Sequence, residues 1–166
     1  MALSSIDATV GGASSNSYIT LAEANQYADD RAYNADWVSA SDDDKTKALF
    51  SATERIDQFL FQGNKADQDN ALQFPRYGIE DRDGWYVPGT EIPRDIKRAQ
   101  FELALALLGK DYLKNTGLEN MKNIKVEGIT IGTVQPQDND LLPEHVMRYL
   151  EPFLAPEHKS VYLSRG

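Results

Sequence analysis

The stretch that follows Pro93 is the feature of the sequence that most limits how the chain can fold. Apolar side chains occupy nearly every side of a helix drawn through it, at Ile96, Ala99, Phe101 and residues 103–108. A helix that is apolar all round must be surrounded by other parts of the protein. Pro93 suits the first helical position, because its missing amide needs no partner there. The sequence therefore predicts a helix from about Pro93 at the centre of a core.

A helix is also predicted near the N-terminus. Thr20 and Glu23 have the spacing of a capping box, in which each residue satisfies a free amide of the other. Three- and four-residue spacing of the following residues predicts a helix from about Leu21 to about Tyr33. Trp37 follows it and is expected to fill the core, since large aromatic side chains serve mainly burial.

Two more helices follow from one-sided apolar patterns. Acidic residues 42–44 lie where a helix N-terminus favours negative charge. The pattern after them predicts a helix over residues 43–62, with Gly63 as the residue that ends it. Residues 144–154 outline a last amphipathic helix, which Pro156 stops.

The rest of the chain predicts little regular structure. Residues 63–92 carry turn residues without periodicity, and a connection of that length usually has a role in binding. Residues 122–131 alternate apolar and polar side chains around a turn, which predicts a short β-hairpin. The expected fold is mainly α, a small bundle of about four helices with a long interhelical loop, one hairpin and an extended C-terminal arm. A flexible N-terminal arm (1–17), a helical domain (18–155) and a C-terminal tail (156–166) are the expected parts.

The sequence offers few groups for catalysis or metal binding. It has no cysteine, and its two histidines, His145 and His158, do not have the spacing of a metal or catalytic pair. No glycine-rich phosphate loop is present, and residues 81–84 are interpreted as a tight Asp-Gly turn rather than the start of a calcium loop. We therefore expect no catalytic residue, no cofactor, no metal and no enzymatic activity. No apolar run reaches the length of about 20 residues that spans a bilayer, so no membrane partner is expected.

The net charge of −9 bears on nucleic-acid binding. Affinity for a phosphate backbone comes mainly from Lys and Arg, and here acidic residues outnumber them by 26 to 17. Tight binding of nucleic acid is therefore not expected. An acidic surface can still line a conduit through which a duplex slides, although a merely solubilising surface is the more common explanation of such a charge.

Arginines and aromatic residues concentrate in and beside the segment 63–92. These residue types are typical both of hot spots in protein interfaces and of surfaces on which unpaired bases stack. Against a net charge of −9, the interface interpretation is preferred. The candidate interface residues are Phe74, Arg76, Tyr77, Trp85, Tyr86 and Arg94.

Several motifs together resemble a family of tailed-phage proteins labelled DnaT-like single-stranded-DNA-binding protein, whose members typically lie among head and neck genes. The resemblance covers roughly residues 16–108, and its most specific part is Phe74-Pro75-Arg76 with the Asp-Gly turn after it. The order of elements also resembles the head-to-tail connectors that dock beneath a phage portal. The motifs lie at residues 16–27, 47–49, 52–57, 73–78, 83–84 and 92–94.

This resemblance implies a structural protein of the virion. Residues 18–155 would form the adaptor domain of a ring, by analogy a dodecamer, that links the portal to a downstream tail or nozzle protein. Double-stranded DNA would pass through the ring without tight binding. The protein would lie in the neck of the virion, and in the host cytoplasm during assembly. One alternative is a replication accessory that binds single-stranded DNA, and another is a tail-completion or minor capsid protein with the same helical core.

Overall fold

A computed structural model of the chain describes residues 5–109, 125–126, 129–130 and 142–156. Within these residues the fold is mainly helical, as predicted, with five α-helices and short antiparallel strand pairs. A 3-10 turn at Glu151–Phe153 follows the last helix directly. The elements are α1 Leu21–Asp29, α2 Ala35–Ser39, α3 Asp42–Ile56, β1 Asn64–Lys65, β2 Arg76–Tyr77, α4 Arg94–Gly109, β3 Lys125–Val126, β4 Ile129–Thr130 and α5 Glu144–Leu150.

Helix α4 is the centre of the core, as the apolar pattern after Pro93 predicts. It packs most extensively against α3, then against α5, with smaller contacts to α1 and α2. Its one fully buried polar side chain among the described residues is Gln100. The Gln100 amide accepts a hydrogen bond from the Tyr18 backbone at 3.0 Å and donates to the hydroxyls of Ser17 and Thr53 at 2.7 and 2.8 Å. This side chain ties the residues before α1 to the α3–α4 pair.

The N-terminal helix has its predicted start, but it ends early. Thr20 and Glu23 form both hydrogen bonds of the capping box. Helix α1 then stops at Asp29 instead of continuing to about Tyr33. The chain turns there, and the separate short helix α2 places Trp37 in the core, 1% exposed, as predicted.

The predicted helix over residues 43–62 is wrong at its C-terminal end, because α3 stops at Ile56. The backbone beyond it pairs with the chain that follows α5: the Gln62 amide donates to the Phe153 carbonyl at 2.8 Å, and the Ala155 amide to the Leu60 carbonyl at 2.9 Å. These long-range bonds replace the helical ones. Gly63 therefore does not end the helix. It lies at the turn into β1, where its φ of +65° favours glycine.

The segment 63–92 contains no helix, as expected, but it is more ordered than a plain loop. Strands β1 and β2 pair antiparallel, and Glu80 pairs with Tyr86 in an isolated bridge. The predicted hairpin near residues 122–131 is confirmed by the antiparallel pairing of β3 with β4. None of the described helices is long and apolar enough to cross a membrane.

The division of the chain into arm, domain and tail stays a prediction. Residues 5–17 close a loop in which Asp7 and Asn16 exchange hydrogen bonds, with the Asp7 amide 2.8 Å from the Asn16 side-chain oxygen. The Gly12 carbonyl accepts from the Ala71 amide at 3.1 Å, which attaches this loop to the segment 63–92. Residues 157–166 of the predicted tail lie outside the described residues.

Candidate nucleic-acid and partner-binding site

Phe74, one of the six predicted interface residues, lies in the interior of the protein. Its side chain is 1% exposed and makes edge-on contacts with the rings of Phe61 at 4.8 Å, Tyr18 at 6.0 Å and Phe153 at 6.2 Å between centroids. These four rings join the residues before α1, the chain after α3 and the chain after α5. The interface prediction for Phe74 is corrected accordingly, because a side chain enclosed by its own chain has no surface left for a partner.

Arg76 is the second predicted interface residue that serves the fold. Its guanidinium is almost fully buried and donates to the backbone carbonyls of Gln62 at 2.7 Å, Gly63 at 2.8 Å and Gln73 at 3.1 Å. It also donates to the Gln73 side-chain oxygen at 2.9 Å. Burial lowers the pKa of Arg76, and the nearby carboxylate of Asp57 partly opposes this. The guanidinium stabilises the turn around Gly63. The prediction that Arg76 is an interface residue is therefore also corrected.

A half-buried carboxylate and a buried phenol lie beside this arginine. The Tyr18 hydroxyl donates to the Asp57 carboxylate, which also accepts from the Gln73 amide at 3.2 Å. Burial raises the pKa of Asp57, and burial together with the Asp57 charge raises the pKa of Tyr18 well above its usual value. The Asp57 carboxylate bonds to groups of its own fold, at Tyr18 and Gln73, so we assign Asp57 and Tyr18 to the stability of the fold.

Residues 79–87, here called the aromatic turn, present two of the remaining predicted residues to solvent. Trp85 is 74% exposed and Tyr86 76% exposed. The Asp81 carboxylate holds the turn by accepting from the amides of Asp83 at 2.9 Å and Trp85 at 2.8 Å. Gly84 has a φ of +83°, and its amide donates to the Asp81 carbonyl at 3.1 Å. The predicted tight Asp-Gly turn is confirmed. Its hydrogen bonds fix the backbone from which the exposed rings of Trp85 and Tyr86 extend.

The other two predicted residues are exposed elsewhere. Tyr77 in β2 is 56% exposed, and its ring lies so close to Gly89 that an added Cβ there would be 2.2 Å from it. Arg94 is exposed at the first residue of α4. The structure thus leaves Tyr77, Trp85, Tyr86 and Arg94 at the surface and encloses Phe74 and Arg76. An interface role for the exposed four stays a prediction.

A cleft of about 430 Å³ lies beside the aromatic turn. Among its lining residues, Arg31 and Glu102 form a two-pronged ion pair with N–O distances of 2.8 and 3.0 Å. The Arg82 guanidinium donates to the Arg148 carbonyl at 2.8 Å, which attaches the aromatic turn to α5. We call this the cationic cleft, and its lining residues are Arg31, Arg82, Glu102, His145, Arg148 and Tyr149.

The cationic cleft carries an excess of positive charge. Three arginines and one glutamate line it, and Arg148 also pairs with Glu144 outside the lining, whereas the whole chain has a net charge of −9. An adjoining cleft of about 630 Å³ shares Arg82 and Arg148 but adds the carboxylates of Glu80, Asp81 and Glu151. The positive region is therefore short, and it can hold an anionic group without forming a long basic track.

Comparison with known protein families shows which family the chain belongs to. All of its residues, 1–166, match the model of the family described as "Putative DnaT-like ssDNA binding protein". The chain belongs to this family. No curated protein and no solved structure matches it.

For this DnaT-like family member, the sequence motifs and the surface features lie in different places. The motif around Phe74 and Arg76 is buried, whereas the cationic cleft draws its side chains from four distant parts of the chain. The sequence signal that was missed is on α5, where His145, Arg148 and Tyr149 have three- and four-residue spacing and share a helix face. No group of three or more metal-ligating side chains occurs in the part of the chain that the structure describes.

Proposed function

We propose that this protein binds single-stranded DNA without catalysing a reaction on it. The observation that carries the proposal is the cationic cleft in an otherwise acidic protein, because one of its arginines, Arg82, belongs to the aromatic turn that carries two exposed rings. Binding of single strands without sequence preference combines a positive groove for the phosphates with aromatic side chains on which the bases stack. Membership of a family described as binding single-stranded DNA supports the same function.

The walls of the cleft indicate how a strand would be held. Arg82 uses one of its donors on the Arg148 carbonyl, and Arg148 pairs with Glu144 at 2.6 Å, so both guanidinium groups keep further N–H groups for a phosphate. Because Arg82 is part of the aromatic turn, a phosphate held there lies near Trp85 and Tyr86. The acidic cleft next to it limits the number of phosphates that can be neutralised. We therefore expect micromolar affinity with a marked salt dependence.

The first test replaces two arginines of the cleft. The double variant Arg82→Ser with Arg148→Ser is expected to bind a fluorescein-labelled oligo(dT) strand about tenfold more weakly than the wild type, measured by anisotropy. The slope of log affinity against log salt should also become shallower by about 0.7 for each phosphate that the variant no longer neutralises. Arg94→Ser is the matched control, because Arg94 is exposed but does not line either cleft. Equal losses in both variants, or no binding by the wild type at low salt, would contradict the proposal.

A second candidate function is the head-to-tail adaptor of a tailed phage. It is favoured by the carboxylates of Glu80, Asp81 and Asp83, which surround the exposed rings and would repel a phosphate backbone. Exposed Trp and Tyr side chains are typical anchors of protein interfaces. In this function the protein would form a ring, by analogy a dodecamer, between the portal and a tail or nozzle protein in the virion neck. Duplex DNA would pass through its lumen without tight binding.

The adaptor function predicts a change of mass on contact with a portal. The protein alone and mixed with portal would be measured by light scattering coupled to size exclusion. An adaptor should appear as a ring or join the portal, and Trp85→Ala should abolish this without unfolding the subunit, because Trp85 is exposed. A particle that stays monomeric with portal, yet binds single strands, would exclude the adaptor function and retain the first proposal.

A further inference from the structure

Tyr33 has a backbone conformation that its side chain does not favour. Its φ is +59°, and it is the one non-glycine residue with a positive φ in the described part of the chain. Bulky L-residues rarely occupy this left-handed region, whereas glycine and asparagine enter it readily. The Tyr33 side chain is 95% exposed, so burial of the ring does not offset the backbone cost. Neither the backbone conformation nor burial of the ring therefore favours a tyrosine at this position.

The conformation is imposed by the residues around it. The Arg31 guanidinium donates to the carbonyls of Ala32 at 2.8 Å and Tyr33 at 2.7 Å, while its remaining N–H groups hold Glu102 on α4. The Asn34 side chain donates to the Ala28 carbonyl at 2.7 Å, which closes the turn at the end of α1. Arg31 thus holds the turn of Tyr33 rigidly against the central helix.

The same arginine lines the cationic cleft. Tyr33 follows Arg31 by two residues, and its carbonyl accepts from the Arg31 guanidinium. Trp85 follows Arg82, the second arginine of the cleft, by three residues. Each of these two chain segments supplies one arginine to the cleft and carries an exposed aromatic side chain two or three residues further along the chain. Strained residues that the surrounding structure holds in place occur mainly at functional sites, and the inference runs from the observed strain to a function.

We propose that Tyr33 is a second stacking platform of the binding site, on which a base of single-stranded DNA stacks while the cationic cleft holds the backbone. This inference rests on the proposed single-strand binding and adds a residue to it. A strand bound in this way contacts rings on two chain segments, at Tyr33 and on the aromatic turn. Tyr33 is kept for binding at the expense of the stability of the fold.

The test separates binding from stability with two substitutions. Tyr33→Asn removes the ring and suits the left-handed backbone, so it should raise the urea midpoint of unfolding while weakening binding of oligo(dT) about tenfold. Tyr33→Phe keeps the ring and should match the wild type in both measurements. A strand that contains 2-aminopurine should be quenched on binding by the wild type and by Tyr33→Phe, with clearly less quenching by Tyr33→Asn.

Other outcomes overturn the inference in distinguishable ways. If Tyr33→Asn binds DNA as the wild type does, while loss of Arg82 and Arg148 weakens binding, Tyr33 is not a platform and the proposed function stands. A lowered urea midpoint for Tyr33→Asn would show that the tyrosine stabilises the fold. Normal DNA binding with loss of association between subunits or with portal would assign the ring to a protein partner instead. If the wild type binds no single strand, the proposed function fails and the inference fails with it.

Discussion

Phe74→Ala is expected to lower the free energy of unfolding by about 3 to 5 kcal/mol, which is the usual cost of removing a fully buried phenylalanine. Phe74 contacts three other rings, so its loss leaves a cavity between the residues before α1, the chain after α3 and the chain after α5. Urea unfolding followed by far-UV circular dichroism measures the effect. A chain of this size has a total stability of roughly 5 to 15 kcal/mol, so the variant is expected to lose a large fraction of it.

Trp85→Ala is the matched control for this substitution. It also removes a large aromatic side chain from the segment 63–92, but Trp85 is 74% exposed. Its stability should stay within about 0.5 kcal/mol of the wild type, as is usual for substitutions at the surface. A Phe74→Ala protein as stable as the wild type would contradict the assignment of Phe74 to the core. An unfolded Trp85→Ala protein would contradict the assignment of Trp85 to the surface.

The helices that could be predicted from the sequence are those whose signals are local. The capping box of Thr20 with Glu23 and the all-round apolar pattern of α4 need no knowledge of the rest of the chain. The end of α3 could not be predicted in this way, because Leu60 and Gln62 bond to residues more than 90 positions later. Such long-range hydrogen bonds override a local helical pattern, and the pattern itself does not reveal them.

The candidate site could be predicted only in part, for a related reason. Trp85 and Tyr86, two of the predicted interface residues, are exposed after the Asp-Gly turn, although their interface role stays a prediction. Arginine next to aromatic residues is also the composition of a buried cluster, so the same pattern at Phe74 and Arg76 predicts the wrong environment. The cationic cleft depends on how α1, α4, α5 and the aromatic turn pack, and no local motif encodes that packing.

Arg76→Met is expected to destabilise the protein by about 3 kcal/mol. Methionine fills a similar volume but donates no hydrogen bond, so the carbonyls of Gln62, Gly63 and Gln73 lose a charged donor. Hydrogen bonds to charged groups contribute about 1.5 to 3 kcal/mol each, and a buried acceptor left without a partner costs about 1 to 3 kcal/mol. The loss is smaller than the sum of these contributions, because methionine also removes the cost of burying a cation. Urea unfolding at neutral pH measures the difference.

Two further variants show whether the planar fork of the Arg76 guanidinium or its charge provides the stability that Arg76→Met removes. Arg76→Lys keeps the charge but replaces a planar fork with a compact ammonium, which cannot reach carbonyls on both sides of the turn at Gly63. We expect Arg76→Lys to lose nearly as much stability as Arg76→Met. Arg94→Met should lose less than about 0.5 kcal/mol, because Arg94 is exposed. A lysine variant as stable as the wild type would show that Arg76 acts through its charge on Asp57, and the backbone carbonyls would then need no fork to hold the turn.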